Sequence, residues 1–235
     1  MNDTYQRLQL TGEAQDTAEI IATLAAIRNG ELKNDLRLLN FFREVPVSYG
    51  AEVLTVEPDS AELLVHQIQA VVIDQEKLTV LKSSHFRKDV LAKVTYVNVE
   101  KSRVVLSKLG YAVVRADRRM SVRVELGISI NASFFTQDEQ VEGRLHDMSL
   151  TGVSIKVEQD PGIPVSEKGN LTVALPTGGI TVPASLLKVI QNPDDCRLVF
   201  EIEPSRAADL SISQFIFQRQ VEIIKELKEH PGISS

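Results

Sequence analysis

The chain has 235 residues, of which 43% are hydrophobic and 25% are charged, and its formal net charge is −6. This composition is typical of a globular protein with a sizeable core, and the length allows either one large domain or two of ordinary size. The 32 acidic residues outnumber the 26 basic ones. A broad surface for a nucleic-acid polymer is therefore excluded, because such a surface needs many cations to neutralise phosphates. Any anion site must be local.

The chain shows no signal for a membrane or for an oxidising compartment. It has no uncharged apolar run long enough for a membrane span, and "MNDTYQRLQL" lacks the basic and apolar regions of a signal peptide. The single cysteine, Cys196, cannot form an internal disulfide. We therefore expect a cytoplasmic protein without a membrane span.

The first part of the chain predicts helices. Apolar residues at helical spacing predict a helix from Asp16 to Asn29, capped by Asp16 or Thr17. A second helical pattern covers residues 32–42, "LKNDLRLLNFF". Residues 1–42 are thus predicted to be an N-terminal helical segment, and the first helix is interpreted as packing material rather than a binding element.

Two β-rich units follow. Residues 43–112 predict an N-terminal β domain of about five or six short strands. Short strands separated by Gly, Pro, Asn and Asp turns from about residue 121 predict a closed barrel, and a helix over 206–229 ends the domain assigned to 113–235. One apolar face of this helix is expected to lie on a barrel: Leu210, Phe215, Ile216, Ile223, Ile224 and Leu227. The predicted fold is mostly β, with two β-barrel-like domains in tandem and helices at both ends.

Four arginines lie between the two β units, in "RADRRMSVRV". Only Asp117 opposes this cluster of Arg115, Arg118, Arg119 and Arg123. Arginine binds phosphate and the O6/N7 edge of guanine with two parallel hydrogen bonds, and it stacks on bases. Side chains four apart share one side of a strand and can also converge from a loop, so Arg119 and Arg123 are candidate partners.

A second cluster follows in "HDMSLTGVS". Asp147 and Ser149 are two residues apart and are expected to share a side of the strand. A carboxylate accepts hydrogen bonds from guanine N1 and N2, and Gly152 permits a positive φ or the close approach of a flat ligand. The two clusters together predict a pocket for a guanine nucleotide. A solvated basic turn and a tight turn capped by Asp and Ser are the structural alternatives, and the turn is compatible with the pocket.

Other chemical functions find little support. His146, Asp147 and Ser149 together suggest a catalytic triad. Neighbouring residues of a strand are expected to point in alternate directions, however, so these side chains cannot form the line of nucleophile, base and orienting group that a triad needs. The four widely separated histidines and one cysteine lack zinc spacing, and "LPTGGITV" is interpreted as a hairpin turn, not a phosphate loop. We therefore predict no catalytic residue, no metal site, no cofactor and no enzyme activity.

The two clusters resemble the signature of the PilZ domain family. "RRMSVR" is similar to its RxxxR motif at Arg119 and Arg123, and "DMSLTG" is similar to its D/N-x-S-x-x-G motif at Asp147, Ser149 and Gly152. The resemblance covers about residues 113 to 230 and implies a six-stranded barrel that binds cyclic di-GMP. One departure is that "DDCRLVFEIE" lacks the glycine that often precedes the last aromatic residue of this strand.

The resemblance also implies how the ligand acts. An arginine directly before the pair, here Arg118, occurs in members that bind two intercalated ligand copies, so one or two copies per chain are expected; Arg115 is a further candidate or a linker residue. The tandem β domain is similar to flagellar-brake proteins, in which ligand binding reorients two domains about the arginine linker. The expected output is motility, secretion or exopolysaccharide control through an unidentified protein partner, with a homodimer left open. The alternative is a ligand-independent protein-interaction module.

Overall fold

A computed structural model describes residues 5–114, 122–193, 195–231 and 233. The chain forms two compact units, the first from Met1–Phe42, Pro46–Arg119 and Lys225–Ser235, and the second from Arg43–Val45 and Met120–Ile224. No helix in the described part of the chain is long and apolar enough to cross a membrane.

The first unit is a closed barrel of six strands. Its elements are β1 (Tyr5–Arg7), α1 (Glu13–Arg28), β2 (Arg37–Phe42), β3 (Val45–Val56), β4 (Ser60–Val65), α2 (Gln67–Glu76), β5 (Leu78–Lys82), β6 (Val90–Asn98) and β7 (Arg103–Val114). The strands follow the order β7-β4-β3-β2-β5-β6, the pairing of β6 with β7 closes the ring, and β1 adds to β7. The alternation in β4, where Ala61, Leu63 and Val65 are buried, directs every second side chain into the core.

Helix α1 packs on this barrel through Ile20 and Leu24, which are fully buried beside core residues such as Leu63. It begins at Glu13 after Gly12, so the prediction of Asp16 or Thr17 as its cap is wrong. The Asp16 carboxylate instead accepts hydrogen bonds from Thr11 Oγ1 at 2.6 Å and from the backbone N–H groups of Leu10 and Thr11. These bonds, the Thr11 hydroxyl first, hold the pKa of Asp16 below its usual value.

Two predictions in this unit are wrong. The helix predicted over 32–42 is strand β2, in which Leu38, Leu39 and Asn40 are all buried. The region predicted to consist of short strands and turns contains helix α2, whose residues Ile68 to Ile73 are all buried. The central residues of both segments are buried without interruption, so their apolar residues show neither the helical nor the strand period.

A polar network fixes α2 to the barrel. Asn40 Oδ1 accepts hydrogen bonds from Gln69 Nε2 at 2.8 Å and from Thr79 Oγ1 at 2.7 Å, and Asn40 Nδ2 donates to the carbonyl of Leu78 at 2.7 Å. Asn40, Gln69 and Thr79 are fully buried. The network therefore joins β2, α2 and β5 with partners that satisfy Asn40.

The second unit is also a closed six-stranded barrel, which confirms the predicted fold class. Its elements are β8 (Val124–Glu125), β9 (Asn131–Phe135), β10 (Gln140–Met148), β11 (Gly152–Val157), β12 (Lys168–Leu175), β13 (Gly178–Gln191), β14 (Cys196–Ile202) and α3 (Arg206–Lys228). The ring follows the order β11-β14-β13-β12-β9-β10 and closes between β10 and β11, while β8 adds to β10. Phe134 and Phe200 fill its core, with ring centroids 4.6 Å apart.

Only part of the apolar face predicted for helix α3 is buried. Phe215, Ile216 and Ile223 are buried, but Leu210 and Ile224 are 59% and 42% exposed, so including them in that face was wrong. At 3.6 residues per turn these two lie on the opposite side of the helix. They form an exposed apolar stripe together with Phe217 and Val221.

Candidate ligand-binding site

The predicted site residues that the structure describes lie on the outer face of the second barrel. Met148 and Val153 are a register pair of β10 and β11, and both are buried in the core. The adjacent pair, Asp147 and Ser154, must point away from the core because strand side chains alternate. Both are nevertheless almost fully buried, so other groups cover them.

A β-bulge at His146 brings two neighbouring side chains together. The register of β10 against β11 shifts between Leu145 and Asp147, which leaves His146 as the extra residue. His146 Nδ1 lies 3.5 Å from Asp147 Oδ2. The expectation that these two side chains point in opposite directions was therefore wrong, because the bulge breaks the alternation on which it depended.

Asp147 is the centre of the cluster and is 3% exposed. Ser154 Oγ donates a hydrogen bond to its Oδ2 at 2.7 Å. Arg123 Nε lies 3.3 Å from Oδ1, and Arg197 Nη1 lies 3.8 Å from Oδ2. Two guanidinium groups thus share one buried carboxylate, which leaves an excess of positive charge beside it.

Several buried polar atoms of this cluster have no hydrogen-bond partner within the described residues. They are Arg123 Nε, His146 Nδ1, Asp147 Oδ1 and Arg197 Nε. Arg123 Nε and Asp147 Oδ1 are at ion-pair distance but do not form a hydrogen bond. Because buried polar atoms are normally satisfied, four such atoms in one place make this cluster the candidate site for a polar ligand.

Ser149 and Gly152 form the turn that connects β10 to β11. The backbone N–H and the hydroxyl of Ser149 both donate to the carbonyl of Gly152, at 2.8 and 3.2 Å. The tight turn that the sequence left open is therefore present, but the Ser149 hydroxyl donates to a carbonyl instead of capping a backbone amide. Asp147, in contrast, bonds to a side chain across the strand pair.

Gly152 does not have a positive φ, so that part of the expectation was wrong. A Cβ atom at this position would lie 3.4 Å from Ser149 Oγ, 3.5 Å from the carbonyl of Phe200 and 4.0 Å from Arg123 Nη2. These are ordinary van der Waals contacts. The barrel therefore tolerates a methyl group here, and the fold does not require glycine.

The remaining predicted residues, Arg115, Arg118 and Arg119, lie outside the described residues. Sequence reasoning missed two members of the cluster, Ser154 and Arg197. Ser154 gave no signal, since a polar residue at this position fits the ordinary alternation of the strand "VSIKV". Arg197 lies in the strand that departs from the PilZ pattern, and only the pairing of β11 with β14 places it near Asp147.

These features define the class of the protein: a β-barrel protein with a cluster of arginines around a buried carboxylate, which is the candidate ligand-binding site. Residues 117–218 match the family model described as PilZ domain. The chain therefore contains a PilZ domain, which includes the whole cluster.

Solved structures with similar folds have low sequence identity. YcgR from Escherichia coli, in complex with c-di-GMP, is 14% identical, with a TM-score of 0.46 and coverage of 91% of this chain and 96% of that chain. The MrkH–c-di-GMP complex of K. pneumonia is 15% identical, with a TM-score of 0.48 and coverage of 87% and 96%. MotI/DgrA, the Bacillus subtilis inhibitor of motility, is 12% identical, with a TM-score of 0.44 and coverage of 80% and 95%. No curated protein matches the chain.

Proposed function

We propose that this protein is a cyclic di-GMP receptor and that the ligand binds to the outer face of the second barrel. The observation that supports this most is the buried Asp147 carboxylate beside Arg123, with unused hydrogen-bonding capacity on both. It coincides with the PilZ match and with the two motifs of that family. A bis-guanine dinucleotide supplies both groups that such a cluster recognises, phosphates for arginine and a donor edge for a carboxylate.

Each described residue has a role in this proposal. Asp147 accepts hydrogen bonds from guanine N1 and N2. Arg123, with Arg119, binds phosphate and the opposite base edge. Because the Ser149 hydroxyl donates to Gly152, its lone pairs are the part that contacts the guanine edge. Gly152 leaves room for the base.

The arginines that precede the second barrel link ligand binding to a change in domain arrangement. Arg118 stacks on or pairs with a second ligand copy, and Arg115 acts as a linker residue. Drawing this segment onto the ligand pulls on the connection between the two units, so that binding free energy becomes a change in domain arrangement. That change alters a contact with a protein partner in motility, secretion or exopolysaccharide control. Binding alone accounts for this function, and no covalent step is needed.

A second candidate function is a ligand-independent interaction module. The exposed apolar stripe on α3, formed by Leu210, Phe217, Val221 and Ile224, favours a protein contact of this kind. X-ray scattering distinguishes the two functions. A receptor changes its scattering profile with cyclic di-GMP, whereas an interaction module does not.

Isothermal titration with cyclic di-GMP tests the receptor proposal. We expect binding, and we expect it to be retained in Arg144→Ala, a matched control because Arg144 is an exposed arginine of β10 bonded to Ser129. No heat of binding at about 100 μM ligand would overturn the proposal. A stoichiometry of one ligand per chain would overturn only the role of Arg118.

A further inference from the structure

Arg197 of β14 belongs to the cluster through strand pairing. Ser154 pairs with Val199, and Lys156 pairs with Arg197, so Arg197 lies on the same outer face as Ser154 and two register pairs further along. Its Nη1 reaches back to within 3.8 Å of Asp147 Oδ2 and 3.4 Å of His146 Nε2. Arg197 thus places guanidinium N–H donors next to the carboxylate of Asp147.

The surroundings of Arg197 are unlike those of a solvated surface arginine. Its side chain is 29% exposed, and its Nε is buried without a hydrogen-bond partner among the described residues. His146, the extra residue of the bulge, contacts the guanidinium through its Nε2, which lies 3.4 Å from Arg197 Nη1. The side chain is therefore oriented by its neighbours but has donor capacity left for a ligand.

The order of acceptors and donors here is complementary to one base edge. The Watson–Crick edge of guanine presents two donors, N2–H and N1–H, followed by one acceptor, O6. The carboxylate of Asp147 provides two acceptors, and Arg197 provides a donor directly beside them. Adenine presents an acceptor at N1 and a donor at N6, which opposes both groups.

We infer that Arg197 is a ligand-binding residue that determines base specificity, donating to guanine O6 while Asp147 accepts from N1 and N2. This inference rests on the proposed function and assigns a third strand, β14, to the site. It also gives a role to the strand in which this chain departs from the PilZ pattern.

The test compares Arg197→Ala and Arg197→Lys with the wild-type chain in titrations with cyclic di-GMP, cyclic di-IMP and cyclic di-AMP. The hypoxanthine base keeps O6 and N1–H, whereas adenine lacks the O6 acceptor. We expect Arg197→Ala to weaken binding of the first two ligands by the same factor, roughly tenfold to a hundredfold, and to leave binding of cyclic di-AMP unchanged. Lysine should restore part of the loss, because it keeps the charge but not the planar fork.

Three outcomes have separate meanings. Wild-type chain that does not bind cyclic di-GMP contradicts the proposed function itself. Wild-type binding that Arg197→Ala leaves unchanged overturns only the role of Arg197. An equal loss for all three nucleotides also overturns the specificity role, since it shows an effect of charge or folding; the melting temperature of each variant, with Arg144→Ala as the control, separates these two causes.

Discussion

The two barrels differ in how they use buried polar groups. In the first, Asn40 lies between Gln69, Thr79 and the carbonyl of Leu78 and is hydrogen-bonded through both its oxygen and its nitrogen. One atom of this network, Gln69 Oε1, has no partner among the described residues, whereas the cluster around Asp147 in the second barrel has four such buried atoms. A satisfied network stabilises a fold, whereas an incomplete one costs stability unless a ligand completes it. The comparison is consistent with a packing role for the first network and with the proposed binding role for the second.

The largest effect is expected for Arg123→Ala. This variant removes charge-assisted hydrogen bonds to the ligand, each contributing about 1.5–3 kcal/mol, so the affinity for cyclic di-GMP should fall by about a hundredfold or more. Isothermal titration measures this fall, with Arg144→Ala as the control. Equal affinities of the two variants would remove Arg123 from the site.

Asn40→Ala should have the opposite pattern. It leaves the buried Gln69 and Thr79 donors without their acceptor, so the free energy of unfolding should fall by about 1–3 kcal/mol while the affinity for cyclic di-GMP stays the same. Urea denaturation measures the stability, and the exposed Asn170→Ala is the matched control. A weaker ligand affinity in a folded Asn40→Ala chain would contradict the division of roles between the barrels.

Gly152→Ala separates binding from folding within the second barrel. A methyl group fits at this position but lies beside Arg123 Nη2, where the ligand is proposed to bind. We expect about tenfold weaker binding and an unchanged melting temperature. Gly169→Ala is the contrasting variant, because its Cβ would clash with the carbonyl oxygen of Phe135, and it should destabilise the barrel. Similar melting temperatures for both variants would contradict this account of the two glycines.

The smallest expected effect concerns Asp35 in the first unit. Its carboxylate accepts hydrogen bonds from Ser83 Oγ, Ser84 N and Ser84 Oγ, and these bonds, the Ser83 hydroxyl first, lower the pKa of Asp35. A carboxyl group whose pKa is lower in the folded than in the unfolded chain stabilises the fold at pH values above its unfolded-state pKa. This stabilisation is lost as the pH falls towards the folded-state pKa.

The wild-type chain should therefore lose stability more steeply than Asp35→Asn between about pH 5 and pH 2. Because the side chain is partly exposed, the difference should be small. Thermal unfolding against pH measures it, with the exposed Asp138→Asn as the control. Parallel pH profiles for wild type and Asp35→Asn would exclude this contribution.

Much of the second barrel could be predicted from its sequence, because Gly, Pro, Asn and Asp turns separate its strands clearly. Helix α2 could not. Its residues Ile68 to Ile73 are buried on all sides, and its cap is His66, whose Nδ1 accepts a hydrogen bond from the backbone N–H of Ile68. Histidine is not one of the usual capping residues, so neither the period nor the cap indicated a helix.

The candidate site was predictable where residues are close in sequence. Asp147, Ser149 and Gly152 belong to one short motif, and the structure places them around one turn. The positions of His146 and Arg197 depend on a bulge and on a strand pairing, which are properties of the folded barrel. Two-residue periodicity alone could therefore not bring His146 beside Asp147.

Hydrogen–deuterium exchange with and without cyclic di-GMP tests the central claim most directly, because it detects binding and its location together. We predict slower exchange of the backbone amides in residues 147–152 when the ligand is present, and unchanged exchange in α2 of the first barrel. Unchanged exchange at 147–152 with saturating ligand would contradict a binding site on the outer face of the second barrel.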